Sequence, residues 1–244
     1  MRQFGLIGKT LTHSFSKTYF SKKFEQEGIA DCSYQNFELP QIQDIDSLLS
    51  QYPDLKGFNI TIPYKEEILP FLFQQNEIVQ AVGACNCVKV IDGKFYGFNT
   101  DVIGFRDSLQ PQLKPHHTKA LILGWGGAAK AVAYTLTSLG IDYLVVSRKK
   151  AEKTITYSDI DKALLEQYTL IINTTPLGMY PNINDAPQIP YNLLSSKHFL
   201  FDLIYNPTQT KFLQLGAQQG SQTANGYDML IGQAEESWRI WNTL

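Results

Sequence analysis

Apolar residues along the chain fall in short runs separated by segments with helical spacing. In the first hundred residues the runs are 4–7, 57–62 and 87–91, and the helical-looking segments are 17–27 and 65–73. Strand-length runs alternating with helix-period segments predict βα units. Between residues 111 and 118 the chain turns polar, with two prolines and two histidines, and a domain boundary is expected there. A new apolar run, 120–123, leads straight into a glycine loop. Beyond the loop Ala128, Val132, Leu136 and Leu139 recur at helical spacing, and Gly140 stands where a C-terminal cap belongs. Three more runs, 143–146, 170–172 and 199–204, predict a parallel doubly wound sheet for this second region. The last segment, 228–244, carries Leu230, Ile231, Ala234, Trp238 and Trp241 at mixed three- and four-residue steps, the mark of an amphipathic helix.

Composition narrows the class of protein. A chain of 244 residues can bury either one large α/β core or two modest ones. Twenty-one basic and twenty-three acidic residues give a net charge of -2, which offers no broad attraction to nucleic acid or to an anionic membrane, so a small-molecule partner is expected. No apolar stretch approaches the roughly 20 residues that span a bilayer, and residues 1–8 lack the apolar region and cleavage site of a signal peptide. A cytoplasmic location follows as the expectation. Cys32, Cys85 and Cys87 are odd in number and form no CxxC pair, which argues for reduced thiols and against a disulfide framework or a zinc site.

The glycine loop is the first candidate for chemistry. Leu121-Ile122-Leu123-Gly124-Trp125-Gly126-Gly127-Ala128-Ala129 has the strand, tight turn and helix start that a dinucleotide pyrophosphate needs. Gly124 permits the turn, Gly126 admits close approach of backbone to phosphate, and the small Ala129 takes the place of the third glycine. The N–H groups of the new helix, around Gly127 and Ala128, then face the anion. An acidic residue about 20 positions on would bind the ribose hydroxyl of NAD. The chain offers Ser147-Arg148-Lys149-Lys150 instead, and cationic groups at that point favour a 2′-phosphate, making NADP the expected cofactor. Trp125 carries no obvious chemistry there and is expected to face solvent or to lie against the next loop.

Three polar clusters precede the loop: Thr12-His13-Ser14-Phe15-Ser16-Lys17, Asn59-Ile60-Thr61-Ile62-Pro63-Tyr64-Lys65-Glu66-Glu67, and Gly83-Ala84-Cys85-Asn86 followed by Gly97-Phe98-Asn99-Thr100-Asp101. Two follow it, Asn173-Thr174-Thr175-Pro176-Leu177-Gly178-Met179 and Asn225-Gly226-Tyr227-Asp228-Met229-Leu230-Ile231-Gly232-Gln233-Ala234. In order and spacing these segments resemble the signature segments of the shikimate dehydrogenase family, and the resemblance spans nearly the whole chain.

The resemblance implies an α/β protein of two domains, an N-terminal α/β substrate domain and a doubly wound Rossmann-like NADP domain. Their expected boundaries are 1–102 plus 228–244 and 103–227. It also implies NADPH-dependent, reversible reduction of 3-dehydroshikimate to shikimate, a step in aromatic amino acid biosynthesis. By resemblance Lys65 and Asp101 form the catalytic pair; Ser14 and Ser16 bind the substrate carboxylate; Asn59, Thr61, Asn86, Tyr205 and Gln233 bind ring oxygens and carboxylate or line the site; Gly226 and Met229 line the nicotinamide pocket. Asn173, Thr174 and Thr175 follow a sheet strand, where cofactor contact is expected. The chemistry agrees with such a pair: reducing a ring ketone puts negative charge on its oxygen, so the site needs a proton donor and a positive neighbour there. Which of Lys65 and Asp101 carries the proton stays open at this point.

Each cluster also has a plainer reading. Thr100-Asp101 suits a helix cap and first-turn acid, Lys65-Glu66-Glu67 a solvated helix start, and Ser14 or Ser16 a turn. The chain departs from the family pattern at Cys85 in place of valine, at Phe98 where an acidic residue is common, at Trp125 within the glycine loop, and at Ser147-Arg148-Lys149 in place of Asn-Arg-Thr or Asn-Arg-Ser. His13 reads as a loop residue beside the pocket, His116, His117 and His198 have no partner motif, and no metal is expected. Two alternatives stand beside the main reading. One is a quinate/shikimate dehydrogenase with relaxed substrate or cofactor use, the other a non-catalytic NADP-binding regulatory module. Monomer and homodimer are not distinguished by sequence.

Overall fold

The computed structural model describes residues 1–11, 14–149 and 154–243. Thr12, His13 and Lys150, named above, lie outside the described residues. The chain forms two compact units, Met1–Thr100 with Ala234–Leu244, and Asp101–Gln233.

The first unit runs β1 (Arg2–Gly8), α1 (Phe15–Gln26), β2 (Cys32–Glu38), α2 (Ile45–Gln51), β3 (Leu55–Ile60), α3 (Tyr64–Glu67), β4 (Gln74–Gln75), α4 (Glu77–Val82), β5 (Cys87–Ile91) and β6 (Lys94–Phe98). Its strands order as β2-β1-β3-β5-β6-β4. β1 is parallel to β2 and β3, whereas β5 is antiparallel to β3 and β6. Asp92 and Gly93 join β5 to β6 with φ of 49° and 72°, the left-handed pair that a two-residue hairpin turn requires. The helix expected over residues 65–73 is shorter than its apolar spacing suggested. α3 stops at Glu67, and Leu69–Phe71 is a 3₁₀ turn with Pro70 inside it, because proline supplies no N–H to continue the α-helical ladder.

The second unit runs α5 (Asp101–Leu109), β7 (Lys119–Leu123), α6 (Gly127–Ser138), β8 (Asp142–Ser147), β9 (Thr154–Thr156), α7 (Lys162–Gln167), β10 (Leu170–Asn173), β11 (Phe199–Asp202), α8 (Lys211–Gln218) and β12 (Gln222–Ala224). α9 (Tyr227–Asn242) starts in this unit and ends in the first. The sheet order is β12-β11-β10-β7-β8-β9, with every pair parallel. β7 and β10 are therefore neighbours although two strands separate them in sequence. That reversal of strand order makes a crevice beyond their carboxyl ends, the usual ligand position in a doubly wound sheet.

Side-chain alternation explains why these runs become central strands. Ile122, Ile172, Phe199 and Phe201 face a core with Phe105 of α5 and Val132 of α6, while Leu121, Leu123, Ile171 and Leu200 face another with Leu165 of α7 and Phe212 of α8. Strands buried on both faces read as continuous apolar runs. In the first unit one face carries Ile7, Phe58, Ile60 and Tyr64. The other carries Phe4, Leu6 and Tyr34 with Phe20 and Phe24 of α1 and Ala234, Ile240 and Trp241 of α9. The amphipathic pattern of the last helix thus has its apolar stripe in the first unit's core.

Candidate functional site

A cavity of about 930 Å³ opens at the switch point of the second unit, lined by Gly124, Trp125, Gly126, Val146, Ser147, Arg148, Lys149, Tyr157, Thr174, Thr175, Pro176 and Leu177. Its volume is in the range of ligand pockets. Gly124 turns the chain at φ 97°, and a Cβ added there would stand 2.8 Å from Cγ2 of Thr175, so both conformation and space require glycine. Gly126 caps α6 with no side-chain hydrogen bond, and added Cβ atoms at Gly126 and Gly127 would meet no atom within 4 Å. The first N–H groups of α6 have no carbonyl partner within the helix, and together with the aligned peptide dipoles they suit an anion.

Two cations line the cavity. Arg148 and Lys149 are exposed at the end of β8, and the Ser147 hydroxyl donates to the Lys149 carbonyl, which shapes the turn. Parallel pairing of Ser147 with Thr156 brings Tyr157 to the same wall. Burial raises the Tyr157 phenol pKa, and the Arg148 charge opposes that rise. A dinucleotide with an extra phosphate fits this donor set: open backbone N–H groups for the pyrophosphate, and a guanidinium and an ammonium for the 2′-phosphate.

Of the expected cofactor residues, Gly124, Gly126, Ser147, Arg148, Lys149, Thr174 and Thr175 line this cavity. Gly127 and Ala128 form the first turn of α6 beside it. Asn173, also expected at the cofactor, sits at the end of β10. It is fully buried under the loop, its carboxamide oxygen accepting from the Thr175 N–H at 3.0 Å and hydroxyl at 2.7 Å, and its amide donating to Asp202 at 3.0 Å. Its polar groups are committed to the protein, so its effect passes through Thr175. Gly226 and Met229 lie elsewhere in the second unit. A Cβ on Gly226 would collide with the Leu203 carbonyl, and Met229 packs in the core with Phe105 and Phe201.

The first unit gathers most of the expected substrate residues around a buried polar network. Asn59 and Asn86, at the ends of adjacent strands β3 and β5, are 4% and 2% exposed. The Asn59 amide donates to Ser237 of α9 at 2.8 Å and to the Asn86 carbonyl at 3.3 Å, while its oxygen accepts from the Tyr34 hydroxyl at 2.9 Å. The Asn86 amide donates to the Thr100 hydroxyl at 3.0 Å, and the Thr100 N–H returns to the Asn86 oxygen at 2.6 Å. Thr100 and Ser237 hydroxyls are 3.2 Å apart. Ser16 is buried and hydrogen-bonded to Tyr34. Ser14 does act as a helix cap, accepting from the Lys17 N–H at 3.2 Å, and a hydroxyl so used retains a donor and a lone pair.

Lys65 is half-buried on α3, which the ring of Tyr64 anchors in the core; the Tyr64 hydroxyl donates to the Leu39 carbonyl at 2.6 Å and the Lys65 carbonyl accepts from the Cys85 N–H at 2.7 Å. Thr61 is half-buried just past β3, with its N–H on the Ile7 carbonyl at 2.9 Å. In the second unit Asp101 is buried as the first residue of α5, where the helix dipole favours an anion. Gln233 is buried on α9, its amide donating to the Leu230 carbonyl at 2.9 Å. Tyr205 is half-buried, and burial raises its pKa.

Sequence reasoning missed Val146, Tyr157, Pro176 and Leu177 as cavity residues, and Tyr34, Thr100 and Ser237 as members of the network. Tyr157 is brought in by a three-residue strand with no apolar run to mark it. Trp125, expected to face solvent or the next loop, is 48% exposed at the cavity wall. His117 and His198 are buried structural residues: each accepts a backbone N–H at Nδ1, from Lys114 and Ser195 respectively, at 3.0 Å. Among the described residues no group of three or more His, Cys, Asp or Glu side chains is placed to hold a metal ion, and no helix is long and apolar enough to cross a membrane.

Comparison with known proteins bears on both units. Residues 6–88 match the family described as the shikimate dehydrogenase substrate binding domain. Over 99% of its length the chain is 38% identical to the shikimate dehydrogenase (NADP(+)) of Caldicellulosiruptor saccharolyticus, covering 92% of that protein. Among solved structures, a shikimate dehydrogenase in complex with NADP+ superposes with a TM-score of 0.85 at 31% identity, covering all of this chain and 91% of that one. The shikimate 5-dehydrogenase of Thermus thermophilus, solved with NADP(H) and shikimate, superposes with a TM-score of 0.85 at 28% identity over 100% of this chain and 94% of that one. With full-length identity of this order and a shared two-domain α/β fold, the chain belongs to the shikimate dehydrogenase family.

Proposed function

We propose that this protein is an NADP-dependent oxidoreductase that interconverts 3-dehydroshikimate and shikimate, acting in the cytosol as a monomer or homodimer. The observation that carries the cofactor half is the switch-point cavity, lined both by Gly126 at the start of α6 and by Arg148 and Lys149. Residues 1–102 plus 228–244 serve as the substrate domain and 103–227 as the NADP domain. NADP, when bound, would supply or accept the hydride. Everything else is done by side chains: Ser14 and Ser16 hold the substrate carboxylate, while Asn59, Thr61, Asn86, Tyr205 and Gln233 orient the ring through its oxygens. Because both amide hydrogens of Asn59 are committed to Ser237 and Asn86, it can serve a substrate hydroxyl only as an acceptor. Lys65 places positive charge where the ketone oxygen gains electrons, and Asp101 holds that ammonium in register. Gly226 and Met229 shape the protein around the nicotinamide end, Gly226 by letting the chain pass against the Leu203 carbonyl.

A panel of shikimate and quinate, each with NADP+ and NAD+, tests this reading by absorbance of the reduced nicotinamide. Turnover greatest for shikimate with NADP+ is the expected result. Preference for quinate would shift the substrate assignment, and binding of NADP+ without turnover of either acid would mark the chain as a regulatory module.

A further inference from the structure

The wall of the cavity that follows β10 is held by a chain of hydrogen bonds whose far end is a carboxylate. Asp202 closes β11 beside Asn173, its register partner on β10, and is fully buried. Its Oδ2 accepts from the Thr210 hydroxyl at 2.6 Å, and its Oδ1 accepts from the Ile204 N–H at 3.1 Å and from the Asn173 amide at 3.0 Å. Asn173 turns its oxygen to the N–H and hydroxyl of Thr175, and the Thr175 hydroxyl accepts in turn from the Leu177 N–H at 3.3 Å. The chain therefore runs from a buried carboxylate to residues that line the cavity.

Its chemistry fixes a direction. An ionised carboxylate only accepts, so the Asn173 amide must face it and the carboxamide oxygen must face Thr175. Replaced by an apolar group, Asp202 would no longer hold the amide in that sense, and Thr175 would lose its acceptor whenever the carboxamide turned. Thr175 packs close to the glycine turn, its Cγ2 2.8 Å from where a Cβ on Gly124 would stand. The loop also passes close to Thr210: a Cβ on Gly178, at φ 96°, would lie 3.5 Å from the Thr210 Cβ.

We propose that Asp202 is a positioning residue for cofactor binding, acting through the Asn173 amide to fix Thr175 and with it the cavity wall formed by residues 174–177. The proposal rests on reading the cavity as the NADP site. Asp202 touches neither ligand, so its removal should act on cofactor affinity more than on the use of shikimate.

The test is a double-mutant cycle on NADP+ affinity, followed by the fluorescence of Trp125 at the cavity wall, with steady-state kinetics alongside. Asp202→Ala is expected to raise the Kd for NADP+ about tenfold or more, an order typical of losing a buried charge-assisted contact, while the KM for shikimate changes by less than about twofold. Asp202→Asn recovers most of that loss, since its carboxamide oxygen still accepts from Asn173 and Ile204. In a Thr175→Val background Asp202→Ala adds clearly less loss than it causes in wild type, because the hydroxyl link is gone and only the backbone N–H of residue 175 still reaches Asn173. Additive effects, a parallel rise in the KM for shikimate, or equal losses in the Ala and Asn variants would each overturn the proposal. Should Asp202→Ala not fold, Asn173→Ala cuts the same chain one residue nearer the cavity and takes its place in the cycle. Failure of wild type to bind NADP+ would instead sink the cavity assignment itself, an outcome visible before any variant is compared.

Discussion

Trp241 occupies the space that a side chain on Gly57 would fill. An added Cβ at Gly57 would collide with the indole ring, whose Nε1–H donates to the Val88 carbonyl at 2.9 Å. The same indole stacks on Phe4 with ring centroids 4.8 Å apart. A bare stretch of β3 backbone is thus the seat of the last turns of α9 in the first unit.

Gly57→Ala is therefore expected to destabilise the protein by about 1–3 kcal/mol, the usual cost of overpacking a filled core. Urea unfolding measures it. Trp241→Phe in the same background should recover part of the loss by making room; no recovery would mean that the strain lies in the strand and not against the indole.

Lys65→Ala should lower kcat for shikimate oxidation by about 10²–10⁴-fold, the range for loss of a positioned acid or base, with a much smaller change in KM. Steady-state kinetics at saturating NADP+ reads this directly. A kcat close to that of wild type would remove Lys65 from the catalytic pair.

Arg148→Ala should raise the KM for NADP+ by about tenfold or more while leaving that for NAD+ within about twofold, since a charge-assisted phosphate contact is lost and NAD+ has no 2′-phosphate. Equal effects on the two cofactors would place Arg148 outside phosphate recognition.

Burial pushes the Asp202 carboxyl up to about 6 from 3.8, with the hydrogen bonds from Thr210, Ile204 and Asn173 opposing that rise. With the folded pKa above the unfolded one, the folded state binds more protons between about pH 4 and pH 6. Stability contributed by this group is complete below the unfolded pKa and is lost as pH rises through the folded one. A shift of about two units corresponds to about 3 kcal/mol. Urea unfolding of wild type and Asp202→Asn from pH 4.5 to pH 8 should show the variant gaining on wild type by a few kcal/mol across that window. A difference independent of pH would show that Asp202 does not titrate there.

Much of the second unit was legible along the chain because burial on both faces writes β7, β10 and β11 as unbroken apolar runs and the glycine loop marks the turn into α6. The short edge strands β9 and β12 left no such mark, since each is three residues long and only half buried. In the first unit the Asp92-Gly93 hairpin carries a readable turn signal, but β6 alternates over only five residues beside it. The helix expected over 65–73 failed at Pro70, where apolar spacing and backbone chemistry disagree.

Sequence by itself determined the family, the glycine turn and the basic residues that follow β8, because these are local chemistry carried on contiguous residues. Tertiary structure alone decided that Asn173 lies buried beneath its loop, that Tyr157 joins Arg148 at one wall, and that Ser237 of the last helix meets Asn59 of an early strand. These relationships join residues far apart in the chain, and the hydrogen bonds that define them exist only once strand order and burial have removed the competing water.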